Sequence, residues 1–357
     1  MATDRRQFLA GLGAVALAGC AGVETPPDAG TPLFMGAIST PEGYEAAVLD
    51  QAGRIRQSVS LPARGHSGAV LPDRWAVLFA RRPGWFAVAF DLRGERAPIR
   101  FAPPAGRHFY GHGIFDPDTG LLYATENDFD AARGVLGIYD SGRGFRRIGE
   151  WQTSGIGPHE IVAGPAPGTA IVANGGIETH PDWPRKKLNL PTMEPSLVTI
   201  RLGTGELLDL ARPDEAHRML SIRHLVRVGP DVWYACQDQS GDGIGRPLMG
   251  VYRPGEALSV IPGSADPALN GYIGSIATSR NRREVAITSP RGDVAQIWSV
   301  ADRRARQTWQ IRDVCGIAPS DDGFLFSDGQ GRCWIDGQMT GQSAGAWDNH
   351  LVPLQAV

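Results

Sequence analysis

The sequence predicts an all-β chain, a single seven-bladed β-propeller closed by N-terminal strands that join a C-terminal one. Three observations carry this. From residue 33 onward, short β-rich runs alternate with turn residues, and no long stretch has helical periodicity. One kind of segment opening recurs seven times. Its last copy is a single strand long, and the N-terminal end supplies the three strands it lacks.

The runs at 75–79, 85–90, 121–124, 135–139, 169–173, 232–235 and 284–288 are apolar and rich in β-branched and aromatic residues. Explicit turns separate them, such as Asp116-Pro117-Asp118-Thr119-Gly120. The recurring openings are Gly65-His66, Gly111-His112, Pro158-His159, Arg223-His224, Ile273-Gly274, Val314-Cys315 and Asn349-His350. Their second residues are spaced by 46, 47, 65, 50, 41 and 35. Most of these match the roughly 40–50 residues of a four-stranded blade. The long spacing contains an insertion at 175–195, placed between the second and third strands of its blade. Strands near 33–38, 44–49 and 55–59 then complete the blade that the last copy begins, leaving no open sheet edge. Six or eight blades is the alternative count.

Composition sets the class. The 357 residues hold 46 Gly and 27 Pro, too much punctuation for a helical bundle. A hydrophobic content of 42% supports a large core. The net charge of -3 gives no electrostatic case for nucleic-acid binding.

The first twenty residues read as an address. Arg5-Arg6 precedes an apolar stretch at 8–18, about half the length a membrane span needs. The pair resembles a twin-arginine export signal, and Leu17-Ala18-Gly19-Cys20 resembles a lipobox in which Cys20 is acylated. Residues 21–32 read as a flexible tether. The expectation is a periplasmic lipoprotein that meets a membrane only through its lipid anchor.

Five of the eight histidines occupy the recurring position: His66, His112, His159, His224 and His350. Cys315 takes a sixth copy and Gly274 the seventh. A shared place at the start of each inner strand would bring them to one mouth of the axial channel. Imidazole and thiolate are ligands for iron, copper or zinc, so a transition-metal site is expected. Glu160 would be a ligand or a carboxylate that orients one. The insertion would form a lid, from which Glu178 and His180 add ligands. Protonation should weaken metal binding below about pH 6.5. Two alternatives compete. In tryptophan–aspartate propellers such histidines are structural, although Trp347-Asp348 is the only Trp-Asp pair here. A polar channel could also bind an organic ligand.

The insertion string Gly175-Gly176-Ile177-Glu178-Thr179-His180-Pro181-Asp182, with Lys187-Leu188-Asn189-Leu190 and Glu194-Pro195-Ser196-Leu197, resembles the signature of domain-of-unknown-function family 1513. The resemblance spans about 33–354, and Trp183-Pro184 departs from the pattern. It implies an exported bacterial propeller without an established activity. Its members sit near periplasmic imelysin-like and di-haem proteins, which implies partners in iron or copper acquisition. Two further classes stand beside a metal-handling lipoprotein: a metal-dependent periplasmic enzyme (redox or lactonase-like), and a metal-free interaction scaffold. No catalytic residue is assigned, and neither a Gly-x-Ser-x-Gly hydrolase elbow nor a Cys-x-x-Cys-His haem motif is expected.

Two variants test the address. Replacing Arg5 and Arg6 with Lys blocks export, because the receptor reads guanidinium groups. Cys20→Ala leaves an unlipidated protein in the soluble fraction; membrane partitioning equal to wild type would refute the lipobox.

Overall fold

The computed structural model describes residues 33–183, 186–242, 245–321 and 323–354. Arg5, Arg6, Cys20 and the tether lie outside them. Among the described residues, seven antiparallel sheets of four strands each make up the fold. The only helical elements there are 3-10 turns of three residues. This is a seven-bladed propeller.

The inner strands are Gly65–Val70, Arg107–Asp116, Pro158–Ala163, Leu220–Val228, Ser275–Thr278, Val314–Pro319 and Ala346–Leu354. We number the blades 1 to 7 in that order. Each inner strand neighbours the next around the axis, and the seventh returns to the first. Blade 7 takes its other three strands, Leu33–Thr40, Gly43–Asp50 and Ile55–Leu61, from the opposite end of the chain. Leu33–Thr40 runs antiparallel to Ala346–Leu354, with Leu33 opposite Leu354.

The apolar runs follow from the wedge geometry. Side chains alternate between the two faces of a strand, and each blade is packed on both faces. In blade 1, Ala76, Leu78 and Ala80 join the cluster shared with blade 7, around Met35 and Val48. Val77 and Phe79 point the other way, into the cluster with Phe109 and Leu122 of blade 2. In blade 3, Ala170 and Val172 face blade 2, whereas Ile171 and Ala173 face blade 4. Strands buried on both faces therefore read as continuous hydrophobic runs. Outermost strands read as polar, since Ala305–Gln310 is almost wholly exposed.

The inner strands carry an irregularity at the recurring position. Register breaks between Gly65 and Gly68, Phe109 and Gly113, Pro158 and Glu160, and Ile222 and His224. It breaks again between Val314 and Ile317, and where Leu351 gives way to Trp347 in the pairing of blade 7. These are β-bulges, which bend a strand and re-aim a side chain. Blade 5, with Gly274, keeps a continuous register from Ser275 to Thr278 against its second strand.

Deleting residues 33–61 leaves Ala346–Leu354 without its sheet and opens the ring. The expected outcome is loss of the cooperative melting transition followed by circular dichroism. A truncated chain that melts as sharply as the full chain would contradict the closure.

Candidate metal centre

The bulges bring five imidazoles together at the axis. Ring centroids of His66 lie 5.0 Å from His112, 5.8 Å from His159 and 4.6 Å from His350. His224 lies 4.8 Å from His159 and 4.9 Å from His350. All five residues are buried. Ligand nitrogens of His66, His112 and His159 lie within 4.8 Å of one another, as do those of His112, His224 and His350. Tetrahedral ligand nitrogens sit about 3.4 Å apart, so the rings would close by up to about 1.4 Å to share one ion. These groups can hold a metal ion.

The backbone is shaped for this crowding. Gly111 has φ +110°, and a Cβ there would stand 2.6 Å from the His66 ring. The Thr125 hydroxyl donates to the carbonyls of His112 and His159, at 3.1 and 3.3 Å, tying two inner strands together at that level.

Carboxylates orient two of the rings. His66 Nδ1 donates to Asp348 at 2.7 Å, and Asp348 also accepts from Arg64 and Arg81. His224 Nδ1 donates to Glu160 at 3.1 Å, and Glu160 accepts the Leu225 amide. A neutral imidazole that donates through Nδ1 presents its Nε2 lone pair, the arrangement common among metal-bound histidines. Glu160 thus acts on a ring, although its other oxygen is 3.7 Å from His112 Nδ1. His112 Nε2, His159 Nδ1 and His350 Nε2 are buried without any hydrogen-bond partner. Structural histidines are normally satisfied when buried, so the orphaned nitrogens favour a ligand over the structural alternative.

A family comparison bears on the whole arrangement. Residues 59–354 match the model of "Protein of unknown function (DUF1513)". The chain belongs to this family. A search of curated proteins finds no match. Among solved structures the DUF1513 chain is similar to a chain titled Kuenenia stuttgartiensis Hydrazine Synthase, at 13% identity and a TM-score of 0.60. That match covers 86% of this chain and 95% of the other. At such identity the likeness shows the fold alone.

Three expected contributors belong to neither metal-competent group. Cys315 packs in the apolar cluster between blades 6 and 7, where its thiol donates to the Trp347 carbonyl at 3.4 Å. Burial pushes that thiol's pKa up, away from the thiolate a metal needs. It belongs to neither metal-competent group. Its bulge turns the side chain into the blade interface. His180 packs edge-on against Phe129 at 5.1 Å and accepts the Asp182 amide. The Glu178 amide donates to Asn189 at 2.7 Å, closing the insertion on itself. The insertion ties to blade 2 through Thr179 and Asn127, and to blade 4 through Lys187 and Gln239. It supplies none of the residues that line the cavity at the ring. The Cys236, Cys315 and Cys333 thiols are all free and buried.

Sequence reasoning missed other parts. A cavity of about 70 Å³ is lined by His66, His159 and His224 together with Arg81, Arg82 and Arg223. Arg223 is the extra residue in the blade 4 bulge. An arginine inside the apolar run Leu220-Ser221-Ile222-Arg223-His224-Leu225 was the available signal. Asp348, two residues before His350, was legible only as half of a Trp-Asp pair. The string Gly341-Gln342-Ser343-Ala344-Gly345 also fits the Gly-x-Ser-x-Gly pattern of hydrolases, which the expectation of no elbow overlooked. It follows an outermost strand instead of entering a helix, and Ser343 donates to the Gly53 carbonyl.

Electrostatics keep the ring neutral. Burial lowers the pKa of His112 to about 3 and takes His159, His224 and His350 well below the ordinary value. His66 is lowered by burial too, against the opposing pull of Asp348. Arg223 is lowered to about 10, by burial first and then by Arg82, and stays cationic at neutral pH. The lowered pKa values move the expected acid loss of metal affinity from pH 6.5 to lower pH.

Acid also acts on the fold. Below about pH 6.5 the unfolded chain binds protons at these histidines and the folded chain does not. Stability is therefore complete above that pH and declines beneath it, by up to about 1.4 kcal/mol per pH unit for each histidine. Urea unfolding of metal-free protein at pH 7.5, 6 and 5 should show a steadily falling midpoint. A midpoint independent of pH across that range would contradict buried, neutral rings.

Proposed function

We propose that this chain is a periplasmic lipoprotein that binds a transition metal ion, iron, copper or zinc, at the histidine ring. The observation that carries the reading is the set of buried imidazole nitrogens without partners, inside groups spanning 4.8 Å or less. Their neutrality at physiological pH suits coordination, which requires the unprotonated ring. His66, His112, His159, His224 and His350 would hold the ion, with Asp348 and Glu160 orienting His66 and His224. A bound ion of this kind supplies Lewis acidity or, for iron and copper, electron transfer.

The biological setting rests on the sequence. The twin-arginine and lipobox resemblances support export and a lipid anchor. The family resemblance supports a role in iron or copper acquisition beside imelysin-like or di-haem partners. A second reading, a metal-dependent enzyme, is favoured by the cavity beside the ring, which leaves room for a further ligand.

Metal analysis of protein purified without a histidine tag tests the site. The expected result is roughly one ion or more per chain. His112 belongs to both groups, so His112→Ala with His159→Ala strips ligands from each. Cobalt affinity should fall by more than about 100-fold, while circular dichroism keeps its cooperative melt. Metal-free wild type that takes up no cobalt, or a double variant with wild-type uptake, would overturn the reading. Unimpaired growth of a deletion strain under both iron and copper limitation would overturn the acquisition role.

A further inference from the structure

We propose that the cavity beside the histidine ring is a binding site for a small carboxylate or oxyanion, held chiefly by Arg223 with Arg82 and Arg81. The proposal extends the metal reading but does not require it, because the observations behind it concern the arginines alone.

Arg223 is 5% exposed and its Nε has no hydrogen-bond partner. Its guanidinium forms no ion pair with any described residue. That is unusual, because a buried charge is costly unless it is paired. Arg82, which lines the same cavity, also has no ion pair or hydrogen bond among the described residues. Arg81 donates to Asp348 at 3.1 Å and is only partly compensated, since Asp348 also serves Arg64 and His66. Among the described residues no Asp or Glu lines the cavity; its other walls include Tyr110, Gln237, Tyr272 and Asn349. Three cations with neutral polar groups therefore face one space whose lining holds no carboxylate to balance them.

The arrangement is rigid where it matters. Arg223 is the extra residue of a bulge, fixed between buried Ile222 and His224. A Cβ on Gly175 would lie 2.8 Å from Ser221 Oγ and 3.3 Å from the Arg223 guanidinium, so that side is already filled. The guanidinium is a planar fork of donors that matches two oxygens of a carboxylate or oxyanion better than a spherical ion. A volume of about 70 Å³ has room for roughly five water-sized groups, which suits an anion of that size. The same cavity is lined by His66, His159 and His224, so the anion would sit next to the ligand set.

The test uses the mature chain as purified, with acetate, nitrate and phosphate as probes and sodium chloride holding ionic strength constant. Calorimetric titration and thermal melting should show saturable binding and a rise in melting temperature with at least one probe, beyond that in chloride alone. Arg223→Met should weaken that binding by about tenfold or more. Arg223→Lys, which keeps the charge but loses the fork, should recover only part of it. Cobalt uptake by Arg223→Met should persist, which separates this site from the metal reading. A protein that takes up no metal but still binds the anion would sink that reading and leave this one standing. No probe effect beyond chloride, or wild-type affinity in Arg223→Met, would overturn the proposal. Should Arg223→Met fail to fold, Arg82→Gln decides, since unchanged anion affinity there overturns it equally.

Discussion

The structure depends on closing seven wedge-shaped sheets around one axis. Each blade is stable only because both of its faces are covered by neighbours, as Val77 and Phe79 on one side and Ala76 and Leu78 on the other show. A missing blade would expose two apolar faces, so the chain ends are joined in one sheet through Leu33–Thr40 and Ala346–Leu354. Closure also has a cost at the centre. Inner strands converge there, and seven regular pleats would leave their side chains pointing into blades. The bulges relieve this by adding residues on the inner strand, and they turn His66, His112, His159 and His350 toward the axis.

Packing five imidazoles with neighbouring ring centroids 4.6–6.1 Å apart is favourable only while they are uncharged. Burial supplies that condition, and neighbouring histidines and arginines reinforce it. Asp348 and Glu160 are the two carboxylates that offset the positive surroundings, each bonded to a ring. They do not balance everything, because Arg223 and Arg82 retain cationic groups without partners among the described residues. The centre therefore combines neutral metal-type ligands with excess positive charge. A bound cation would increase that excess, which is a physical reason for an accompanying anion.

Much of the fold was legible because it rests on period and repetition. Turn-bounded apolar runs, seven similar openings and an incomplete last copy were enough for an all-β propeller of seven blades. The five histidines could be aligned because equivalent positions in a cyclic repeat must lie at equivalent depths. The insertion at 175–195 was placed between the correct strands for the same reason.

Sequence alone determined the repeat, the blade number and the register of His66, His112, His159, His224 and His350. Tertiary structure decided what each aligned residue does, because a bulge can aim a side chain inward or back into a blade. Cys315 shares the repeat position and a bulge, yet its thiol turns toward Trp347. His180 and Glu178 lie on an insertion tied to blades 2 and 4, and neither joins the groups of histidines that can hold a metal ion. The pairing of His66 with Asp348 spans 282 positions, and that of His224 with Glu160 spans 64. No local pattern encodes such partners. They meet only because the ring brings blade 7 against blade 1, and blade 3 against blade 4.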